Sequence, residues 1–410
     1  MEGSKSGVKV LVADQFSEDG IAELRKSGIE VTYDAALAGE TLTKALGELQ
    51  PHILVVRSTK VTAADVNADA KLQLVVRAGA GYDTIDVAHC AKQGVYVANC
   101  PGKNSHAVAE LTLGLILAID RRIPEGVQLL REQKWNKGLF AACTGIKGRT
   151  IGLIGFGNIA QLVLERAKAF ELNVLVWSRS RKAGLEKKLG FAYADSLQDL
   201  LARSDIVSIH TPATAETKDM VNAEFLGHMK KDAVLINTSR GTVVKEADLL
   251  AHLEANKGFW FGTDVFNGEP AGTKEIAFTH ALAQHPRVYG SHHIGASTKQ
   301  SEAAIGDEAV RIIKKFAAEG AVDNENCVNK EQDGSKLLKM TIRHFDKVGV
   351  LAHVFAVFAG LGWNVQELEN IVFKGREACV VNIKFTGDAA RIAEAVAEIR
   401  KNENVIDVTA

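Results

Sequence analysis

Between residue 8 and about residue 300 one local pattern keeps returning: a short apolar run without polar alternation, then a stretch at helical spacing. The runs include V-K-V-L-V-A (8–13), I-L-V-V-R (53–57), L-V-V-R (74–77) and V-Y-V-A (95–98). A second series comprises T-I-G-L-I-G (150–155), N-V-L-V-W (173–177), D-I-V-S-I-H (205–210), A-V-L-I-N (233–237) and V-Y-G-S (288–291). A strand with one wet face alternates apolar and polar residues. These runs do not, so they fit strands buried on both faces of parallel sheets, with helices as the covering layers. Between the two series, A-V-A-E-L-T-L-G-L-I-L-A-I (107–119) is apolar almost all round. It predicts a buried helix opening near Asn104, at the junction of two α/β units. A further amphipathic helix is expected at about 299–318, with Ala303, Ala304, Ala309, Ile312 and Ile313 inward.

Residues 321–336 are polar and aperiodic and read as a linker. Strand 337–343, a helix through 350–359, strands 364–373 and 378–385, helix 388–401 and strand 405–409 follow. That order, βαββαβ, is ferredoxin-like. A chain of 410 residues is expected to form two to four domains at ~100–200 residues each.

The net charge of -1 lacks the basic excess that a nucleic-acid binder needs. Five widely separated cysteines without a C-x-x-C pair fit reduced thiols rather than a disulfide framework or a zinc site, and no metal is expected. No apolar run approaches the ~18–20 residues of a membrane span. The opening M-E-G-S-K-S-G-V-K has neither an apolar signal core nor an Arg-rich presequence pattern. The expectation is a cytoplasmic protein.

The strongest local motif is I-G-L-I-G-F-G-N-I-A (151–160), an apolar strand turning through Gly155 and Gly157 into a helix. Gly155 permits the tight turn. Gly157 lets the backbone approach a pyrophosphate, which the free N–H groups of the helix start attract. The chain is therefore expected to bind a dinucleotide, NAD(P). The next strand ends V-L-V-W-S-R-S-R (174–181). An NAD site usually carries an acid there for the ribose hydroxyls. Here Ser178 and Arg179 stand instead, groups that accept a 2'-phosphate, so the reading leans to NADP.

Three later segments carry a resemblance: I-N-T-S-R-G-T-V-V (236–244), D-V-F-N-G-E-P (264–270) and S-H-H-I-G-A-S-T (291–298). With the glycine loop they resemble the D-isomer-specific 2-hydroxyacid dehydrogenase family, in family order, over about residues 8–320. The terminal unit, with H-F-D-K-V-G-V-L-A (344–352), is similar to an ACT domain. The resemblance implies an α/β fold: a Rossmann nucleotide-binding domain (102–293), a flavodoxin-like substrate domain (1–101 and 294–325) and an ACT domain (337–410). It implies Arg240, Glu269 and His293 as the catalytic set. A guanidinium holds a substrate carboxylate with a rigid fork of donors. An imidazole near neutrality moves the hydroxyl proton. A carboxylate on the other ring nitrogen orients it and favours its charged form. His293 is preferred to His292 because it directly precedes Ile-Gly, and His292 stands where the family has proline. The resemblance also places Asn158, Ile159, Thr211, Pro212, Thr238 and Asp264 at the cofactor.

For the substrate, R-A-G-A-G-Y-D (77–83) resembles the family loop whose N–H groups, at Ala78, Gly79 and Ala80, approach the substrate carboxylate. Arg57 matches a phosphate-side arginine of the phosphoglycerate dehydrogenases, with Lys137 as a second cation. Asn104 resembles a residue near the nicotinamide, with helix capping as the equal alternative. His344, Asp346 and Asn364 fall at the positions that hold an amino-acid effector such as L-serine. Asp346 replaces the usual amide, so serine control stays open beside a purely assembling role. The implied partners are a 2-hydroxy acid and further copies of the chain, in a homodimer or homotetramer. The implied reaction oxidises 3-phosphoglycerate to 3-phosphohydroxypyruvate, the entry to serine synthesis. A glyoxylate or hydroxypyruvate reductase and a nucleotide-sensing corepressor are the alternatives.

Overall fold

The computed structural model describes residues 7–270, 275–331 and 337–410. It divides into two compact units, Met1–Lys330 and Glu331–Ala410.

The first unit holds two parallel sheets. One contains β1 (Lys9–Val12), β2 (Glu30–Tyr33), β3 (Ile53–Val56), β4 (Leu74–Arg77) and β5 (Tyr96–Ala98), in the spatial order 2-1-3-4-5. That is the flavodoxin-like order. The other contains β6 (Thr150–Ile154), β7 (Asn173–Trp177), β8 (Ala192–Tyr193), β9 (Ile206–Ile209), β10 (Val234–Asn237), β11 (Trp260–Thr263) and β12 (Val288–Gly290), in the order 8-7-6-9-10-11-12. This is the Rossmann order with one strand added. Its winding reverses between β6 and β9, and ligands of such sheets bind outside the strand ends at that switch point.

All the expected apolar runs are strands. Three strands have no counterpart among them. Glu30–Tyr33 is an edge strand with one buried residue, Val31, and Ala192–Tyr193 is only two residues long. Trp260–Thr263 is buried throughout but is interrupted by Gly262. A Cβ there would stand 2.7 Å from Ile236 and 3.1 Å from Ile119, so the glycine serves helix-on-sheet packing. The buried junction helix runs Ser105–Arg121 and packs on β10, β11 and the helix Asn158–Ala169.

The helix Lys299–Glu319 returns to the first sheet and buries Ile305, Ala309, Ile312, Ile313 and Phe316. Ala303 is exposed, contrary to expectation, because the helix is turned so that Ile305 leads its inner face. The linker expectation for 321–336 also fails over its first part. Asn326 and Cys327 are buried, and Cys327 forms an antiparallel bridge with Ala98. Asn329 accepts from the Val97 N–H at 2.9 Å and donates to the Val95 carbonyl at 2.8 Å. A polar, aperiodic segment is thus held in place because its amide side chains satisfy backbone groups of an edge strand. Residues 332–336 lie outside the described residues. No helix is long and apolar enough to cross a membrane, and no cluster suited to a metal occurs among the described residues.

The second unit is one antiparallel sheet of β13 (Leu338–Phe345), β14 (Asn364–Val372), β15 (Ala378–Thr386) and β16 (Val405–Thr409), in the order 14-15-13-16. Helices Val350–Gly360 and Ile392–Ile399 supply Val354, Phe358 and Ile399 to a core that includes Met340, Ile342, Trp363 and Phe385. The connectivity is the ferredoxin-like βαββαβ expected.

Candidate active site

The glycine loop closes the end of β6. Gly155 has φ +87°, and a Cβ there would lie 2.5 Å from the His210 carbonyl, so only glycine fits the turn. Gly157 is different: its added Cβ would meet nothing within 4 Å. The space over Gly157 is open to an approaching group. A cavity of about 190 Å³ lies there, lined by Ala80, Gly102, Asn104, Gly157, Asn158, Ile159 and His210. Two buried polar atoms in this region have no partner among the described residues, Asn104 Oδ1 and Thr211 Oγ1. Asn104 makes no cap bond to its helix, so the capping alternative falls away. A glycine turn open above Gly157, with unanswered polar groups beside it, suits a dinucleotide.

Every expected nucleotide residue sits where a β6–β12 strand ends: Ser178 and Arg179 after β7, Thr211 and Pro212 after β9, Thr238 after β10, Asp264 after β11. Thr238 is buried and meets Thr112 Oγ1 at 3.0 Å. His210, unforeseen, lines the same cavity. Burial pulls its pKa down to about 4, so it is neutral, and Nε2 lies 2.9 Å from the Ser208 hydroxyl.

Asp264 is only 2% exposed, and its carboxylate does not face the cavity as a free ligand. It accepts from the Ser291 hydroxyl at 2.6 Å, the Ile294 N–H at 2.9 Å and the Gly295 N–H at 2.8 Å. Its carbonyl takes the His293 N–H at 2.8 Å. These bonds wrap the chain into a turn in which His293 has φ +53°, a left-handed conformation that costs a non-glycine residue roughly 1 kcal/mol or more. The expected cofactor residue therefore clamps the loop that carries His293.

The imidazole that this turn presents has its Nδ1 2.5 Å from Glu269 Oε1. An ionised carboxylate only accepts, so Nδ1 carries the hydrogen and Nε2 is left for proton exchange. Burial pushes the Glu269 carboxyl up, but the His293 hydrogen bond and charge outweigh it, helped by the Phe266 N–H and by Arg240. The group is held below the ordinary carboxylate range. His292, the neighbour, is exposed.

Arg240 reaches across from the end of β10. It donates Nε and Nη2 to Asp83 Oδ1 at 3.2 and 2.9 Å, and Nη1 to the Ser239 carbonyl at 2.8 Å. A Cβ on Gly81 would stand 1.9 Å from its Nη2, so the guanidinium lies directly against that glycine. Nearby is an arginine that sequence reasoning passed over, Arg77, read only as the start of a glycine motif. Burial and the Arg240 charge pull its pKa down to about 10, with Arg57 a further neighbouring charge. It remains a cation at neutral pH, and its buried Nε has no partner among the described residues. The detectable signal was register: Arg77 ends β4 opposite Val56, the residue before Arg57.

Arg57 pairs with Glu302 at 3.1 Å. Its loop is shaped by Asp14, whose Oδ2 accepts from the Arg57, Ser58 and Thr59 amides at 3.0, 2.7 and 2.8 Å. The expected amide cradle is only partly available. Ala78 N–H is engaged by the Val56 carbonyl, an extension of the β3–β4 ladder, and Gly79 N–H by the Arg77 carbonyl two residues before it. Of the three, Ala80 alone borders the cavity. Lys137 sits on an exposed 3-10 turn, Lys137–Phe140, and is not among the residues lining the glycine-loop cavity.

In the second unit His344 is 2% exposed, donates Nδ1–H to the Phe345 carbonyl at 2.8 Å, and leaves Nε2 buried without a partner among the described residues. It pairs in register with Cys379, whose thiol is pushed up by burial and by the adjacent Asp346. Asn364 does not join them. It faces Thr386, seven residues along β15 from Cys379, about 23 Å at ~3.3 Å per residue.

Residues 113–295 match the family profile described as the NAD binding domain of D-isomer specific 2-hydroxyacid dehydrogenases. The chain is 38% identical over 293 residues to the hydroxypyruvate reductase of Thermotoga maritima, covering 71% of this chain and 92% of that protein. It is 35% identical over 309 residues to the D-3-phosphoglycerate dehydrogenase of Methanocaldococcus jannaschii, covering 75% of this chain but 57% of that protein. The chain thus spans little more than half of that relative's length. Among solved structures, the NADPH-dependent glyoxylate/hydroxypyruvate reductase of Sinorhizobium meliloti, in complex with NADP and malonate, matches with a TM-score of 0.66 at 27% identity, over 78% of this chain and 96% of that one. The chain belongs to the D-isomer specific 2-hydroxyacid dehydrogenase family.

Proposed function

We propose that this chain is an NAD(P)-dependent dehydrogenase interconverting D-3-phosphoglycerate and 3-phosphohydroxypyruvate. The observation that carries the substrate class is the gathering of three guanidiniums, Arg57, Arg77 and Arg240, at the carboxyl ends of β3, β4 and β10. A simple 2-keto acid offers one carboxylate, for which Arg240 suffices. A phosphorylated one offers a second, stronger anion, which Arg57 and Arg77 would hold.

The nicotinamide, when bound, supplies or receives the hydride. The chain's own residues do the rest. Arg240 holds the carboxylate and polarises the carbonyl. His293 returns a proton from Nε2 to the carbonyl oxygen in reduction and removes it in oxidation. Glu269 holds Nδ1 and stabilises the imidazolium. Gly155, Gly157, Asn158 and Ile159 would hold the pyrophosphate, with Asn104 and Thr211 near the reacting end.

One observation favours a second reading, an NADP-dependent hydroxypyruvate or glyoxylate reductase: no acid follows β7, and Arg179 is exposed beside Ser178. Specificity constants for phosphohydroxypyruvate, hydroxypyruvate and glyoxylate, each with NADH and NADPH, separate the two. The first reading expects the phosphorylated acid to lead. NADPH is expected to be at least competitive with NADH, and Arg179→Ala to lower NADPH use selectively. A strong NADH preference untouched by that substitution ends the NADP reading. No measurable turnover would favour a nucleotide-sensing corepressor, a class against which the Arg–Glu–His set counts.

We read residues 337–410 as an ACT-like module in a homodimer or homotetramer. Since Asn364 is remote from His344 and Asp346 in one chain, a shared L-serine site would draw on two copies. Self-association is also favoured by the helix Ile123–Arg131, which has no buried residue and exposes Ile123, Val127 and Leu130. Sedimentation is expected to show two or more chains per particle. Calorimetry is expected to show serine binding that His344→Ala weakens, and no heat with serine would leave the module an assembling role alone.

A further inference from the structure

Arg240 and His293 each have their own carboxylate, and the two carboxylates differ in origin. Glu269, on His293, follows β11 and belongs to the same sheet as the histidine loop. Asp83, on Arg240, comes from the loop after β4, in the other sheet. We propose that Asp83 is a positioning residue that draws Arg240 across the cleft and fixes the plane of its guanidinium, tying the orientation of the substrate-holding arginine to the approach of the two sheets.

A guanidinium has five N–H groups in a rigid plane. Three have partners among the described residues, Nε and one Nη2 hydrogen on Asp83 and one Nη1 hydrogen on the Ser239 carbonyl. With those fixed, the plane is fixed, and the remaining N–H on each terminal nitrogen is left for a substrate carboxylate. Gly81 completes the seat, since any side chain there would occupy the Nη2 position. Asp83 also relieves a crowd of like charge. The Arg240 and Arg57 cations destabilise the Arg77 cation, and the Asp83 carboxylate stabilises it. Burial alone would raise the Asp83 carboxyl, yet Arg240 holds it below its ordinary value, as a standing ion pair requires. Because Asp83 and Arg240 are anchored in different sheets, the pair forms only at a separation like the present one. Its loss leaves the arginine charged but unaimed.

The inference rests on the assignment of Arg240 to the substrate carboxylate, and its test separates the two. Steady-state reduction of the better keto acid is compared in the wild type, Asp83→Asn, Asp83→Glu, Arg240→Lys and the double variant Asp83→Asn/Arg240→Lys. Asp83→Asn is expected to lower kcat about tenfold or more while KM changes by less than about threefold, the pattern of a misaimed rather than a missing binding group. Asp83→Glu, which keeps the charge, recovers part of the loss. The double variant is expected to be within about twofold of Arg240→Lys alone, since Asp83 acts through Arg240. Cofactor binding by fluorescence stays unchanged. If Arg240→Lys is damaging while Asp83→Asn is not, or if the two losses multiply, this proposal fails alone. If Arg240→Lys is harmless, the assignment of Arg240 fails and takes this one with it.

Discussion

His293→Ala is expected to lower turnover by about 10³-fold, the usual range for loss of a positioned acid–base group being ~10²–10⁴. Binding of the reduced cofactor, followed by fluorescence, is expected to be nearly unchanged, because the histidine is outside the glycine-loop cavity lining. His292→Ala is expected to cost little. The two differ in what they touch: His293 is joined to Glu269 at 2.5 Å and held by Asp264, whereas His292 is an exposed neighbour. Glu269→Gln is expected to fall between them and to alter the acid limb of the pH profile. In the wild type the Glu269 pKa is depressed. The pair is therefore complete above the ordinary carboxyl value and is lost only as pH falls through the lower folded one. The glutamine variant lacks that limb. Reversed effects at the two histidines would overturn the assignment.

Arg57→Ala is expected to lower kcat/KM for phosphohydroxypyruvate by about 10- to 100-fold, the worth of one good charge-assisted contact. Hydroxypyruvate, which has no phosphate to lose, is expected to change by less than about threefold. The Glu302 carboxylate freed by the substitution is half exposed, so its own penalty is small. Equal losses on both substrates would remove Arg57 from the phosphate side and weaken the phosphoglycerate reading in favour of a simple 2-keto acid.

What the chain disclosed before folding and what it hid follow one division. Local periodicity and loops with a single steric solution were legible. The apolar runs became parallel strands, and G-F-G became the switch-point turn because nothing else tolerates φ +87° against the His210 carbonyl. Of the motif residues, Glu269 and His293 meet at 2.5 Å, and the Arg240 charge bears on Glu269. What stayed hidden depends on residues distant in sequence. Asp83 and Arg240 are 157 positions apart, and Asp14 and Thr59 are 45 apart. A motif that names Asp264 cannot say whether its carboxylate faces a ligand or the backbone of the next loop. Nor can composition distinguish a solvated linker from Asn326, whose amide bonds Asn99, Glu308 and Arg311, or from Asn329, whose amide bonds backbone groups at the edge strand. Burial of polar groups is decided by who their partners are, and that information is tertiary.

The segment that seals β5 sets an order of assembly on the ribosome. Strands β1–β5 emerge first, yet their sheet is completed by the helix Lys299–Glu319 and by Asn326–Asn329, made more than two hundred residues later. The sheet β6–β12 has all its strands by Gly290. During synthesis the second sheet can therefore close while the first waits with one flank open, and the earliest part of the chain is among the last to be finished.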